Sequence, residues 1–532
     1  MEYETEEKPG DLQMRLPDGQ NASTAETRQR SFSLERQHKT GFAMTQFAIG
    51  APFSAFNTYI IYQMQIVGYT IGNEPGQPRG SGCSLLATAC EVPFGTNSFI
   101  NYVSFNNYIN AITYVSTGVL ILALSGIGDR MGYKREQYVL LTIAYAALAL
   151  PSAALTKVDS PTFAALAALY VVFNLFGFLA GNWGKYVVPY VMFSCYDDEK
   201  VEGHPEQPSG LAILPSEPLR ATREVKGTKA AVWGSNALSI GQIAVLLLTI
   251  GISYVSASSA GLYVSTSAGV ISIVITLAAW LLLPKAAPAP HARGSTNVFC
   301  TPFQTVLDLL RGISKYPQAF KLLVSYTIYA DAALVFGGVT GSLYTLNVSR
   351  DIRIYTAYAL VQPASALLAG MFCAWAYPAI LRRRRPSSNS ALKAVMLAAL
   401  AVNLFVTVWC CIGISPRSRI GFKQPWEFYL WQAVQGFTGA LINFSFTVLF
   451  AQLSPRGREI EYFGFQTVLS CATIWIPQIV NGPIVAATNI TRLPAVVCAA
   501  TLLGALGLAF WCDDTKGIRL IQEQQEESPL TD

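Results

Sequence analysis

Apolar residues run along this chain in long unbroken blocks, and polar segments separate one block from the next. The longest blocks exceed the roughly 20 residues that a helix needs to cross a hydrocarbon core, whereas barrel strands would alternate over about 10 residues, a pattern not found here. The blocks predict twelve transmembrane helices near residues 43–69, 101–127, 137–156, 161–193, 230–255, 261–284, 319–345, 354–381, 391–414, 426–452, 461–487 and 493–512. Around them we expect a disordered tail over 1–42, six helices over 43–284, a linker over 285–318, six more helices over 319–512 and a second tail over 513–532. Composition agrees: with 52% hydrophobic and only 13% charged residues, the chain is too apolar to fold as ordinary soluble domains.

Charge distribution orients the helices. If both ends are cytosolic, only Arg79, Lys157, Arg350, Arg353, Arg417, Arg419, Lys423 and Arg492 fall on the far side, with Lys185 inside a span. The rest of the 37 Lys and Arg then lie on the cytosolic side, as the positive-inside rule requires. The net charge of +5 is thereby explained without a nucleic acid, and the partners expected are the bilayer and a small solute. Sequons at Asn347 and Asn489 fall on the far side and are candidate glycosylation sites; the one at Asn443 lies within a span. The first 40 residues lack the apolar core of a signal peptide.

No C-x-x-C pair occurs, and His38, His204 and His291 all lie outside the spans, so neither a metal nor a cofactor is expected. Cys83 and Cys90 share the first far-side loop, where they are either bridged or free. In the linker, Thr301 can cap a helix with Pro302 at its first position, and Phe303, Val306, Leu307, Leu310 and Ile313 fall on one face, predicting a surface helix.

Between the second and third spans the chain reads Ser125-Gly-Ile-Gly-Asp129-Arg130-Met-Gly132-Tyr-Lys134-Arg135. This resembles the G-x-L-a-D-R-x-G-R-K signature of the major facilitator superfamily at the same position, with Ser125 and Tyr133 as departures. The resemblance implies two six-helix bundles, and a gating role for Asp129, Arg130, Gly132, Lys134 and Arg135. Further patches are Pro455-Arg-Gly-Arg-Glu459-Ile-Glu461-Tyr-Phe463-Gly464-Phe, Asp331 in the seventh span and Asp513-Asp-Thr-Lys-Gly517 after the last. They resemble the autophagy-related vacuolar amino-acid effluxers of fungi. That likeness implies a carrier that returns leucine-like neutral amino acids to the cytosol after autophagic degradation.

Charges inside the hydrocarbon are costly, so they mark function. Asp331 is the only carboxylate in the middle of a span, and Lys185 the only cation at comparable depth. In the superfamily the first, fourth, seventh and tenth helices line the central cavity, and both charges fall on that set. Together they could receive a zwitterion, or Asp331 could carry a coupling proton. The plain alternatives are a Lys185 that snorkels to the interface and an Asp331 paired with Tyr326. Asn57, Gln63, Asn174, Tyr186, Gln435 and Asn443 are further candidates for the solute or proton pathway, and each could instead bond a neighbouring helix. Glu459 and Glu461 stand where the second half should answer the Asp129 loop, predicting a charge network that closes an inner gate.

The expected protein is an all-α, monomeric secondary transporter that moves amino acids and protons by alternating access in the vacuole membrane. A proton-coupled carrier of sugars or organic anions at the plasma membrane is the alternative. An enzyme is not expected, since no H-E-x-x-H, no G-x-S-x-G and no membrane-buried His is present.

Overall fold

The computed structural model describes residues 18–74, 76–83, 90–94, 98–131, 133–193, 217–254, 259–285, 307, 311–313, 315–348, 352–383, 390–415, 417–455, 458–476 and 492–527. The first half comprises α1 (Asp18–Ile71), a hairpin of β1 (Glu91–Phe94) and β2 (Ser98–Asn101), α2 (Tyr102–Met131), α3 (Lys134–Ala147), α4 (Ser160–Gly184), α5 (Glu217–Ser253) and α6 (Ala260–Trp280). The second half comprises α7 (Pro317–Asn347), α8 (Ile352–Arg383), α9 (Ala391–Ile412), α10 (Pro425–Gln452), α11 (Glu459–Thr473) and α12 (Pro494–Trp511), followed by α13 (Asp514–Glu527).

Among the described residues, ten helices are long and apolar enough to cross a membrane. Two of the twelve expected spans fall short of that test for different reasons. The apolar part of α1 is diluted by Thr45, Gln46, Asn57, Gln63 and Gln65, and α11 is described over only 15 residues.

The tail ends differ from expectation. Helix α1 begins at Asp18, well inside the stretch read as a disordered tail, because nothing from Gln20 to Thr40 is Gly or Pro and an established helix propagates readily through such sequence. Helix α13 likewise carries order to Glu527, anchored where Gly517 packs on Leu453 and Gln318 and where Ile521 is buried. Most of the linker, including Thr301 to Phe303, lies outside the described residues.

Within the first half α1 packs along α5, α6 and α4, and α3 bridges α4 and α6. Small residues permit the closest of these approaches: a Cβ on Gly50 would stand 2.2 Å from the Leu238 carbonyl oxygen, and one on Gly241 2.6 Å from that of Phe47. Such backbone proximity replaces the hydrophobic drive that lipid removes. The same two helices are tied at the end where the chain termini lie. There Glu35 pairs with Lys39 and, at 3.4 Å, with Lys226. Burial alone would push the Glu35 carboxyl up, but the two ammonium groups outweigh it and hold it below the usual carboxylate range.

In the second half α8 packs on α10, α7 on α12, and α9 on both α10 and α12. The halves meet along two seams, α2 against α11 and α5 against α8. On the face opposite the termini, a Cys83–Cys90 disulfide and the antiparallel hairpin, with Glu91 paired to Asn101, shape the loop between α1 and α2. This hairpin is the one strand element in an otherwise helical set of described residues.

Candidate functional site

The site grows from one stripe on α11. Gln466, Ser470 and Thr473 are spaced i, i+4 and i+7, so they fall on one face over about 10 Å of helix. Both membrane-depth charges meet this stripe. Asp331 of α7 is buried, and its two carboxylate oxygens accept from Ser470 Oγ at 2.7 Å and from the Thr473 hydroxyl. Lys185 crosses from the first half and donates to Gln466 Oε1 at 3.3 Å, its Nζ lying 5.3 Å from the centre of the buried Phe463 ring.

Local sequence explains why Lys185 stands where it does. Pro189 has no N–H for the Lys185 carbonyl, and its ring would clash with that carbonyl in a regular helix. Helix α4 accordingly ends at Gly184, and the chain turns through Lys185 and Tyr186 with short bonds from Lys185 N to Asn182 O (3.2 Å) and Tyr186 N to Trp183 O (3.4 Å). A helix resumes over residues 187–193. The kink aims Lys185 across the seam at α11. No carboxylate pairs with it among the described residues; a neutral amide and a ring face are its partners.

Close packing carries α11 to this seam. A Cβ on Gly464 would meet Ile121 at 3.0 Å, Asn182 at 3.3 Å and Ser125 at 3.4 Å, and one turn on Thr467 donates to Asn182 Oδ1 at 3.5 Å. Deeper along the seam, Tyr114 of α2 lies within electrostatic reach of Asp331 and of Tyr170, whose hydroxyl donates to Asn110 Oδ1 at 3.1 Å. Polar groups thus lead from the hairpin end of α2 toward the carboxylate.

A second contact between the halves sits near the termini. Glu224 of α5, buried, accepts from Tyr377 of α8 at 2.9 Å and from Ser390 Oγ at 3.2 Å. Ser390 also caps α9 and gives its backbone N–H to Asp514 at 2.8 Å.

The remaining candidates distribute as follows. Asn443 of α10 accepts from the Tyr326 hydroxyl, so Tyr326 is bonded there and not to Asp331. Asn174 donates to the Tyr170 carbonyl of its own helix at 3.0 Å, and the buried Tyr186 hydroxyl donates to the Pro284 carbonyl at 3.2 Å. Gln63 is buried on α1, with Asn57 half-buried on the same helix and Gln435 half-buried on α10. Of the gating set, Lys134 is buried at the start of α3, Arg135 pairs with the adjacent Glu136 at 2.7 Å, and the buried Glu461 pairs with Arg458. Gly132, Asn489 and the side chains of Asp129, Arg130, Glu459 and Asn347 lie outside the described residues.

Residue reading missed Gln466, Ser470 and Thr473, although their helical spacing was a usable signal. It also missed Glu224 as a bridge, because its partners lie 153 and 166 residues away.

The chain and its fold have counterparts among known proteins. The family described as vacuole effluxer Atg22 like matches residues 35–522. Autophagy-related protein 22 of Candida albicans is 25% identical over 484 residues, covering 88% of each chain, and its Yarrowia lipolytica namesake is 26% identical over 186 residues, 35% of this chain and 31% of that one. The human organic anion transporter MFSD10 superposes with a TM-score of 0.52 at 13% identity, covering 89% of this chain and 99% of that one. A bacterial homologue of the iron transporter ferroportin, in an outward-facing state, gives 0.53 at 13% identity, covering 90% and 98%. These structures share the helical fold of major facilitator transporters with this chain.

Proposed function

The chain belongs to the vacuole effluxer Atg22 like family of membrane transporters, and from that premise we propose that it carries leucine-like neutral amino acids out of the vacuole lumen into the cytosol. Both termini face the cytosol in this reading, and the hairpin faces the lumen. The observation that carries it is the α11 stripe, on which a cation from one half and a carboxyl from the other half converge. A major facilitator transporter works by rocking its halves about such a central site.

The two charges take different tasks. Both oxygens of Asp331 are already engaged by hydroxyls, which suits a group that gains and loses a proton in place. Lys185 has a neutral amide for a partner at the seam and no carboxylate among the described residues, which suits a substrate carboxylate. Protons flow down the gradient from the acidic lumen and bring the amino acid with them. The bonds from Lys185 to Gln466 and from Tyr377 and Ser390 to Glu224 close the cytosolic side until the loaded carrier rocks.

Purified protein in vesicles loaded with radiolabelled leucine at acidic internal pH tests the function. Leucine should leave faster than from vesicles at neutral internal pH, and internal glucose or citrate should not compete. Transport of glucose or citrate with leucine excluded would favour the carrier of sugars or organic anions instead. The closure has its own test. Glu224→Ala, which removes the hydrogen bonds that Tyr377 and Ser390 make across the halves, should raise the reactivity of a Thr467→Cys thiol toward a cytosolic membrane-impermeant reagent by about tenfold. Unchanged reactivity would remove Glu224 from the gate.

A further inference from the structure

The Thr473 hydroxyl has three contacts, the longest of them to the Ser470 carbonyl at 3.4 Å. Its oxygen contacts Asp331 Oδ2 and also lies 2.9 Å from the Leu469 carbonyl one turn back, whereas Ser470 Oγ has Asp331 as its hydrogen-bond partner and no second acceptor among the described residues. A hydroxyl has one proton to donate and two lone pairs with which to accept. The two hydroxyls around Asp331 are therefore not equivalent, though they sit three residues apart on one helix.

We propose that Thr473 is the switch that lets Asp331 be protonated in place: its hydroxyl donates to the ionised carboxylate and accepts from the protonated one. The inference rests on the reading of Asp331 as the proton site and names the residue that makes the site reversible. With Asp331 ionised, Ser470 donates to Oδ1 and Thr473 to Oδ2. When a proton from the lumenal water binds Oδ2, the new O–H bond points at Thr473 Oγ, and the Thr473 proton rotates to the Leu469 carbonyl. Discharge to cytosolic water reverses both moves. No heavy atom has to shift, because each contact is already at bonding distance in the one structure. Ser470 keeps donating to Oδ1 throughout.

The surroundings leave this exchange undisturbed. Of the elements against α7, α11 brings Cys471 near Asp331, and α2 brings Tyr114 across the seam; on α7 itself the adjacent turn carries Tyr326 and Tyr329. Helices α10 and α12 bring no charged side chain to Asp331 among the described residues. None of these neighbours offers Oδ2 the paired donor and acceptor that Thr473 does.

The two hydroxyls then fail differently when removed. Hydrogen bonds to charged acceptors are stronger than those to neutral ones, so Ser470→Ala weakens mainly the ionised form and should raise the protonation midpoint of Asp331 by about one pH unit. Thr473→Val preserves the branched shape but removes a bond from both forms. It should move the midpoint by much less, yet lower saturating flux about tenfold, because the protonated carboxyl loses its acceptor. Thr473→Ser should behave as the natural protein.

The midpoint is read from the carboxyl band in pH-difference infrared spectra of the full-length protein, with Asp331→Asn identifying the band, and flux is read in leucine-loaded vesicles. If Thr473→Val shifts the midpoint as far as Ser470→Ala and leaves saturating flux intact, Thr473 is a second ordinary donor and the switch is overturned. If Asp331→Asn removes no titrating band, it is the proton-site reading that fails, whichever way the Thr473 variants behave.

Discussion

Replacing Asp331 with Asn should abolish the dependence of leucine efflux on lumenal pH while leaving leucine–leucine exchange in place. The amide reproduces the geometry of the protonated acid: its oxygen can accept from Ser470 Oγ, and its NH2 can donate to Thr473, whose own proton has the Leu469 carbonyl available. The variant is thus a carrier locked in the loaded form, able to rock with substrate on both sides but unable to release a proton and return empty. Net efflux from an acidic lumen should fall at least tenfold, equivalent to more than about 1.4 kcal/mol on the limiting step. Exchange at equal pH separates this outcome from misfolding, which would lower both. Pro317, almost four turns from the acid, starts α7 independently of it, and the Ser325 hydroxyl ties α7 to the Ala505 carbonyl of α12 at 2.7 Å, so the helix keeps its seat in the variant.

Lys185→Met should raise the leucine KM by roughly ten- to a hundredfold, as expected for a lost charge-assisted bond of about 1.5–3 kcal/mol, with a smaller change in kcat. Met keeps much of the length and can set its polarizable thioether against the Phe463 ring in place of the ammonium group. Because Lys185 has a neutral amide and a ring for partners, its removal takes an uncompensated cation out of the seam, and the thermal midpoint in detergent should hold or rise. A purely structural lysine would show the opposite: a lower midpoint with KM unchanged for the protein that survives.

Much of this arrangement is written in the chain at different levels of legibility. The helices are legible because membrane burial demands long apolar blocks, and that demand leaves little freedom. Asp331 and Lys185 are legible for the converse reason, since a charge in such a block is expensive and stands out. What they touch is harder to read. Gln466, Ser470 and Thr473 are small or neutral and occur in a span much as they would on any packed helix, so only their shared face distinguishes them. Pro189 is visible as a helix breaker, but that its missing N–H falls on the Lys185 carbonyl, and so aims that side chain, needs the i to i−4 geometry applied to this one pair. Glu224 meets Tyr377 and Ser390 only once the halves have docked, and no local pattern announces contacts across so much chain. The helical stretch before residue 43 was masked by its polar composition, which hides helix propensity when membrane burial is the signal sought.

The central claim is that protons travel with the amino acid by way of Asp331, and counting them tests it most directly. Vesicles containing the natural protein, an internal pH-sensitive dye and equal pH on both sides would be given an outward leucine gradient with the membrane potential clamped. The account predicts that the interior turns alkaline as leucine leaves, in fixed proportion to it, and that Asp331→Asn vesicles show no pH change. Leucine efflux from the natural protein with no accompanying alkalinisation, or an equal alkalinisation with Asp331→Asn, would contradict it.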